Sequence, residues 1–334
     1  MLSYQDFDLA IFVKTSVGKW KVAVRKLDWP TKCKTFSPIV GRDELGEEGK
    51  LSTHTIIVDE RERSYLLYTP ANAKQNSGVR PLVLVFHGGG GTAKGIAREV
   101  GRSLHKIADR DGFFVAYPNA VDKMWDLGAG VISESLDVRI DDRSYFGDLI
   151  NELVNTLPID DRRIFATGIS RGGQASYFVA CAHADRIRAI APVAMPMPAY
   201  LLKECAEVPG TGIVILNGTD DPLVPYDGGR IKVGKRERDE VISTDATVEF
   251  WRSKNQCSAE ATDEQVINIK RDRMQVHRTS WKRCEHGPVV LYRIESGGHT
   301  WPSGRQYLPR FIVGHVNKDI DGADEVWSFF SQFR

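Results

Sequence analysis

Short apolar runs alternate with longer amphipathic stretches from about residue 52 to the end of the chain. The apolar runs predict strands at 65–68, 82–86, 113–117, 164–166, 189–194, 212–216 and 289–294. Helical periodicity between them predicts helices at 97–108, 143–157, 174–185, 244–254 and 324–333. Several apolar runs are continuous, as expected for strands that are buried on both faces. The pattern predicts an α/β fold, with a mostly parallel central sheet and helices on both faces.

Two longer segments between these elements, 125–135 and 230–239, are predicted to be loops. Loops on such a scaffold often carry specificity. Asp141 and Asp142 stand just before a predicted helix, where acidic side chains cap the N-terminus and interact favourably with the helix dipole. We therefore interpret this pair as capping residues rather than catalytic ones.

Residues 1–50 have a different character. Between Lys14 and Lys34 there are seven basic residues and one acidic residue, with Trp20 and Trp29 among them. Such a stretch can bind membranes or nucleic acids, but it is more often the solvated face of an accessory segment. The sequence thus predicts an N-terminal extension of unknown role at 1–50 and a single α/β domain at 51–334.

The charges of the whole chain balance, with 45 basic and 44 acidic residues and a net charge of +1. This balance argues against nucleic acid or an acidic lipid surface as a partner. No apolar run approaches the roughly 18 residues that a membrane span requires, so we predict none. The hydrophobic fraction of 42% is ordinary for a soluble globular protein.

The strongest chemical signal is the sequence Gly-Ile-Ser-Arg-Gly at 168–172, between a predicted strand and a predicted helix. A sharp strand-to-helix turn needs small residues on both sides of the serine, and it exposes the serine hydroxyl above the sheet as a nucleophile. Ser170 is therefore the predicted nucleophile. The alternative is a glycine-rich turn in which the serine only caps the helix. The N–H of Arg171, at the helix N-terminus, is available to a developing negative charge.

A second signal, His87 followed by four glycines, ends the strand at 82–86. Glycines in this place let backbone N–H groups approach a substrate oxyanion, so Gly89 and Arg171 are the predicted oxyanion donors. Thr92-Ala93-Lys94 does not supply the Gly-Lys-Ser/Thr of a P-loop. Tyr117-Pro118 stands where a dinucleotide-binding fold has an acidic residue. No cofactor is predicted.

A serine nucleophile needs a histidine base and a carboxylate that orients it, in the chain order serine, acid, histidine. The strand at 212–216 is followed by Asp220 and Asp221, and the local pattern does not distinguish between them. The strand at 289–294 is followed by His299 on a glycine-flanked loop, where the base is expected. The alternative for His299 is a histidine packed in a turn.

Taken together, these residues resemble the α/β-hydrolase esterases that include polyhydroxybutyrate depolymerases, feruloyl esterases and acetyl xylan esterases. The resemblance covers about 54–334. It rests on the segments 63–70, 87–92, 117–120, 166–173, 217–226, 297–302 and 305–309. It implies an α/β-hydrolase fold and a catalytic domain at 51–334. Two departures are Asn217, where histidine is usual, and Arg171, where asparagine is common.

The resemblance also implies roles for particular residues. It assigns the orienting acid to Asp221, and it suggests disulfides Cys181–Cys205 and Cys257–Cys284. Together with their loop positions, it suggests that Trp125 and Trp301 line the acyl pocket, where they could stack on an aromatic acyl group. For Trp125, burial beneath the loops is an equal alternative.

Five cysteines without metal-ligand spacing predict no metal site. By themselves they fit either two disulfides and one free thiol, or five free thiols in a cytoplasmic protein. The N-terminus is not typical of a secretion signal, because its apolar run is short and Asp6 and Asp8 stand where positive charge is expected. Paired cysteines and the resemblance favour a secreted or periplasmic protein, and the cytoplasm is the alternative.

The leading hypothesis is a serine esterase that forms an acyl-enzyme on aryl (feruloyl-type), acetyl or short hydroxyacyl esters. Its expected substrates are small molecules or oligosaccharide-linked esters rather than solid polyester. The alternatives are a serine peptidase on the same fold and a catalytically silent protein that binds carbohydrate or polymer. The sequence does not indicate an oligomeric state.

Overall fold

The computed structural model of the protein describes residues 10–14, 20–24, 49–74, 78–128, 140–233, 236–270 and 273–334. The chain divides into two compact units, Met1–Leu45 and Gly46–Arg334. In the first unit, strand β1 (Ala10–Lys14) pairs antiparallel with β2 (Trp20–Val24). Most of the basic segment at 14–34, with Cys33, lies outside the described residues.

Strands of the second unit coincide with every apolar run that the sequence marks as a strand. The described strands are β3 (Lys50–Val58), β4 (Arg61–Thr69), β5 (Arg80–Phe86), β6 (Phe114–Pro118), β7 (Ile159–Ile169), β8 (Ile187–Val193), β9 (Gly212–Gly218), β10 (Gly229–Val233), β11 (Arg236–Val241), β12 (Asp263–Ile267), β13 (Gln275–Trp281) and β14 (Val289–Glu295). All except β10 and β11 join a ten-stranded sheet in the order β12-β13-β14-β9-β8-β7-β5-β6-β4-β3. The strands from β14 to β6 are mutually parallel, and antiparallel strands flank them on both sides.

Helices cover both faces of this sheet. They are α1 (Ala93–Asp111), α2 (Asp142–Thr156), α3 (Arg171–Ala182), α4 (Leu202–Ala206), α5 (Thr244–Lys254), α6 (Arg310–Val313) and α7 (Gly322–Phe330). Successive side chains of a strand point to opposite faces. In β5, Leu84 and Phe86 join one buried cluster with α2, α3 and α5, whereas Val83 and Val85 join a second cluster with α1 and α7. The α/β-hydrolase fold expected from the sequence is confirmed by this layering.

The helix boundaries follow local chemistry. Asp141 caps α2, because its carboxylate accepts hydrogen bonds from the N–H groups of Arg143 and Ser144. Asp142 has a different role, since it is fully buried and accepts a 2.5 Å bond from Arg63. It also accepts from the N–H of Asp126, and so ties the start of α2 to the chain after β6. No helix in the described part of the chain is long and apolar enough to span a membrane.

The prediction of a loop at 230–239 is wrong, because β10 and β11 form an antiparallel hairpin there. The segment is highly charged, and its apolar alternation is limited to Ile231 and Val233, which is too short to predict a strand. Its register instead sets Arg230 opposite Glu240, and opposite charges facing each other across a strand pair stabilise the pairing. The hairpin lies outside the main sheet, and Lys232 N–H donates to the Leu223 carbonyl at its base. The edge strands β3 and β12, and β13 beside β12, were also not predicted.

Two disulfides join the cysteines in the predicted pairs, Cys181–Cys205 and Cys257–Cys284. The first connects the C-terminal end of α3 to α4. The second connects the chain after α5 to the segment between β13 and β14. Both cross-links brace elements on the face of the sheet that carries α3 and α5.

Replacement of both Cys257 and Cys284 by alanine is expected to lower the free energy of unfolding by about 3 kcal/mol. The reason is that a cross-link between residues 27 apart in sequence restricts the unfolded chain. Guanidinium unfolding without reductant measures this difference. Cys33→Ala, which removes neither bridge, is the control, and an unchanged midpoint in the double variant would contradict the expectation.

Candidate active site

Ser170 occupies a strained turn between the end of β7 and the start of α3. Its φ of 59° and ψ of −124° lie outside the conformations that a serine ordinarily adopts. The turn is held on both sides, because Ser170 N–H donates to the Val193 carbonyl and the Ser170 carbonyl accepts from Gln174 N–H. These two hydrogen bonds hold Ser170 in its unfavourable backbone conformation.

Glycines on either side of Ser170 let three backbone segments meet. A Cβ added at Gly168 would lie 2.6 Å from the Gly172 carbonyl carbon, and one added at Gly172 would lie 2.2 Å from the Phe86 carbonyl oxygen. No side chain fits at these distances. The first turn of α3 thus packs directly on the ends of β5 and β7, with Ser170 at their junction.

His299 and Asp221 form a buried hydrogen-bonded pair. His299 Nδ1 lies 2.6 Å from Asp221 Oδ2, and the side chains are 3% and 2% exposed. Since a carboxylate only accepts, Nδ1 carries the proton and Nε2 is left as the basic nitrogen. Asp221 Oδ1 accepts from the N–H groups of Leu223 and Val224, each at 2.8 Å, which fixes the carboxylate. Asp220 is exposed and contacts Thr219 instead.

The glycine turn after β5 lies against Ser170. A Cβ added at Gly88 would be 3.5 Å from Ser170 Cβ, and one added at Gly89 would be 3.8 Å from Arg171 Cβ. The Gly88 carbonyl accepts from Gly91 N–H at 2.9 Å and lies 2.8 Å from His87 Nδ1. Because a trans peptide points its C=O and N–H in opposite directions, these bonds fix the direction of the Gly89 N–H. Within the described residues, the Gly89 N–H donates no hydrogen bond to a backbone acceptor.

His87 itself holds the turn in place. The side chain is 1% exposed, and its Nε2 accepts from Ala120 N–H at 3.1 Å while Nδ1 faces the Gly88 carbonyl. Burial lowers the pKa of His87, in part opposed by the bond to Gly88. The ring is therefore neutral with its proton on Nδ1, which is the tautomer that satisfies both contacts.

The Arg171 side chain is nearly buried and connects the loop at Trp125 to strand β11. Its Nε and Nη2 donate to the Trp125 carbonyl at 3.1 and 2.8 Å, and Nη1 donates to Asp239 Oδ2 at 3.1 Å. Both charged side chains are nearly buried, at 9% and 11% exposed. The pair holds β11 against the first turn of α3, and it neutralises the positive charge that the sequence places beside the serine.

Ser170 and His299 share one cleft of about 650 Å³. It opens at the carboxyl ends of the parallel strands, the usual place for a site on such a sheet. Apolar side chains supply much of its wall: Ile96, Met124, Ile169, Met195, Leu223, Ile231, Val233 and Leu308. The polar groups of the wall include Gln174, Asp239, Glu99 and Tyr307. Such a lining suits a largely apolar group held by a few polar contacts.

Neither Trp125 nor Trp301 is among the residues that line the cleft, so the pocket role expected of Trp301 is not found, and for Trp125 the alternative of burial beneath the loops holds. Trp125 is fully buried, and its indole N–H donates to the His87 carbonyl at 2.8 Å. Trp301 is 2% exposed and packs against Gly322 at the start of α7. Each ring packs among apolar neighbours, and the Trp125 indole N–H also has a hydrogen-bond acceptor in the His87 carbonyl. Trp125 supports the turn from below rather than contacting a ligand.

The sequence analysis missed several residues of the cleft wall. Ile231, Val233 and Asp239 belong to the unpredicted hairpin, so no local pattern indicated them. Tyr307 lies within the segment 305–309 that carries the family resemblance, and its position there was the available signal. Glu99 lies on a predicted helix, and nothing in the sequence indicated that it would line the cleft. Among the described residues, no cluster of histidine, cysteine, aspartate and glutamate could hold a metal ion.

Comparison with known proteins identifies the relatives of this chain. It is 30% identical over 311 residues to putative esterase NocK of Nocardia uniformis subsp. tsuyamanensis, a match that covers 88% of this chain and 86% of that protein. It is 27% identical over 232 residues to feruloyl esterase B of Piromyces equi, covering 67% of this chain and 40% of that protein. No family model matches the chain.

Among solved structures, the acetyl xylan esterase from Aspergillus awamori aligns with a TM-score of 0.54 at 13% identity. The alignment covers 84% of this chain and 99% of that chain, and it shows that the two share a fold. With most of its length aligned to an esterase, this protein belongs to the family of α/β-hydrolase esterases that includes the feruloyl and acetyl xylan esterases.

Proposed function

We propose that this esterase hydrolyses carboxylic esters through an acyl-enzyme on Ser170, with His299 as general base and Asp221 as its orienting acid. The observation that carries the proposal is the buried His299–Asp221 hydrogen bond, in the cleft that also holds the strained Ser170. A hydroxyl, an imidazole and a carboxylate with these roles are sufficient for acyl transfer.

In the proposed reaction, His299 Nε2 removes the proton from Ser170 Oγ as Oγ attacks the ester carbonyl carbon. The resulting oxyanion accepts hydrogen bonds from the N–H groups of Gly89 and Arg171. The intermediate collapses, His299 gives its proton to the departing alkoxide, and the alcohol leaves. Water then enters: His299 removes its proton as the water oxygen bonds to the acyl carbon, and a second tetrahedral intermediate forms. When the bond from the acyl carbon to Ser170 Oγ breaks, His299 returns the proton to Oγ and the acid is released.

Feruloyl-type aryl, acetyl and short hydroxyacyl esters are the proposed substrates, as small molecules or linked to oligosaccharides. The apolar wall supports this choice, and the cleft is large enough for an aromatic acyl group. The Arg171–Asp239 pair adds no net charge to the part of the wall beside the hairpin, which favours a neutral acyl group there. The names of the relatives point to the same chemistry.

We further propose that the protein is secreted or periplasmic. The two disulfides support this location, because such cross-links form and persist in oxidising compartments. If protein isolated directly from its source lacked both disulfides, a cytoplasmic location would be favoured instead.

Replacing Ser170 with alanine should abolish hydrolysis of p-nitrophenyl acetate, with turnover falling by about 10⁴-fold or more. Without Oγ, no acyl-enzyme can form. Release of p-nitrophenol measures the rate, and circular dichroism checks that the variant is folded. A fluorophosphonate should label the wild type at Ser170, and labelling at another residue would refute the assignment.

Asp221→Asn should lower turnover by up to about 10⁴-fold, because an amide in this place stabilises the wrong histidine tautomer. The matched control is Asp220→Asn on the neighbouring exposed carboxylate, which should retain nearly full turnover. If the Asp220 variant were the damaged one, the assignment of the orienting acid would be wrong.

Asp239→Asn should change acyl preference more than basal activity. Loss of the charge weakens the bond that holds the hairpin beside the cleft, so kcat/KM for a feruloyl ester should fall about tenfold, since misplacing a substrate-contacting wall is costly. Acetyl esters, too short to need this wall, should change by less than about threefold. Asp263→Asn, which breaks the remote pair with Arg278, is the control. Equal losses on both esters would assign Asp239 a purely structural role.

A further inference from the structure

The segment 305–312, at the mouth of the cleft, exposes several large apolar side chains. Phe311 is 85% exposed, Tyr307 and Leu308 are each 43% exposed, and Ile312 is 36% exposed. Single exposed apolar residues are normal on a protein surface, but a group of them marks a site of interaction with another protein or a membrane. These four residues are called the apolar patch below.

Hydrogen bonds beneath the apolar patch hold it in this exposed position. The carbonyl of Val313, a fully buried residue of α6, accepts from His299 N–H at 2.6 Å. The Tyr307 hydroxyl donates to the His299 carbonyl at 2.9 Å. Because Val313 is the inward residue of this short helix, Phe311 and Ile312 face outward. Neither buried cluster of the described residues includes Phe311, so the fold does not need its ring.

Basic side chains accompany the apolar patch. Arg305 and Arg310 are exposed and lie within the same segment. The first turns of α1 adjoin this segment, since Glu99 Oε1 accepts from Arg305 N–H at 2.9 Å. These turns expose two further cations, Lys94 and Arg98. Four basic side chains therefore lie around the mouth of the cleft.

This positive charge is only slightly compensated. The stretches 93–99 and 303–316 contain the four basic residues and one acidic residue, Glu99, on which the charge of Arg305 acts. No ion pair between described residues includes any of the four cations. The balanced charge of the whole chain, which argues against an acidic lipid surface, averages over this local excess. A surface with this excess complements a negatively charged partner.

An anionic lipid surface matches both properties of this region. Aromatic and aliphatic side chains insert at the boundary between headgroups and acyl chains, while neighbouring arginines and lysines bind the negative headgroups. A second copy of the chain is a poorer match, because a two-fold contact would set the same four cations against one another. A neutral apolar polymer would contact the apolar patch but would give the cations no role.

We propose that the apolar patch and the basic side chains around it dock the protein on an anionic lipid surface. Phe311 and Ile312 enter the headgroup layer, and Arg305 and Arg310 contact the headgroups. Two residues of the patch, Tyr307 and Leu308, also line the cleft, so its mouth lies at the lipid boundary when the protein is docked.

The test measures co-sedimentation of the full chain with vesicles of phosphatidylcholine and phosphatidylglycerol in equal parts. The wild type should bind them at least about tenfold more tightly than vesicles of phosphatidylcholine alone. Phe311→Ser should weaken binding at least about tenfold, the value of one buried aromatic side chain. Arg305→Gln and Arg310→Gln should each weaken it about fivefold, and added salt should weaken wild-type binding.

Matched control variants lie at the opposite edge of the sheet, near the amino ends of the parallel strands. Val79→Ser removes an exposed apolar side chain just before β5. Lys282→Gln combined with Arg283→Gln removes two exposed charges between β13 and β14. Both controls should bind vesicles as the wild type does, and circular dichroism checks that every variant is folded.

The proposal is overturned if the wild type does not bind the anionic vesicles, or binds neutral ones equally well. Undiminished binding by the Phe311 and arginine variants would also overturn it, because the lipid contact would then lie elsewhere, as in the basic stretch 14–34. A dimer that forms without lipid and is lost in Phe311→Ser would assign the apolar patch to a second copy instead. Since only binding is measured, the result does not depend on hydrolysis at Ser170.

Discussion

The packing of the first turn of α3 on the ends of β5 and β7 is the contact on which the rest of the site depends. Gly168 and Gly172 allow this approach because a Cβ at either position would lie within 3 Å of neighbouring backbone atoms. The contact forces Ser170 into its strained conformation and brings the glycine turn beside it. A side chain at either position would separate helix from strand, and the serine and the turn would then no longer meet. The strain at Ser170 is offset by the burial of the helix around it.

Around this junction, several buried residues position the groups that are proposed to contact the substrate. The rings of His87 and Trp125 pack against each other beneath the glycine turn, with centroids 4.7 Å apart and planes tilted by 33°. The Trp125 carbonyl in turn accepts from Arg171, whose guanidinium reaches Asp239 on the hairpin. One connected set of hydrogen bonds thus joins the proposed oxyanion donors to the wall of the cleft. Networks of this kind rigidify a site when every member has a partner.

Ser170 and His299, which the structure places in one cleft, are candidate residues that each have a local signal in the sequence. The turn at Ser170 joins a strand to a helix, and His299 follows a strand on a glycine-flanked loop, so a short window of sequence contains the information. The choice between Asp220 and Asp221 has no local signal. The structure distinguishes the two because the N–H groups of Leu223 and Val224 donate to the Asp221 carboxylate. In the sequence, only the family resemblance indicated Asp221.

The errors have a common physical origin. Trp301 was expected in the cleft, and Trp125 either in the cleft or buried beneath the loops, because large aromatic side chains on loops suit either a ligand or the core. Their burial is decided by neighbours that are distant in sequence, such as His87 and Gly322. The hairpin was expected to be a loop because it is highly charged and its apolar alternation is limited to Ile231 and Val233, while the opposite charges of Arg230 and Glu240 face each other across the two strands. Long-range contacts of these kinds leave no periodicity to detect.

The hairpin β10–β11 also has a consequence for how such an enzyme can diversify. It is a two-stranded unit with its own hydrogen bonds, inserted between β9 and α5 and absent from the ten-stranded sheet. Its length and composition can therefore vary without altering the register of any strand that positions the serine or the histidine. Within one scaffold, the proposed acyl-binding wall and the proposed catalytic residues would then be encoded in separate stretches of sequence. Selection can act on the first while the second stays constant.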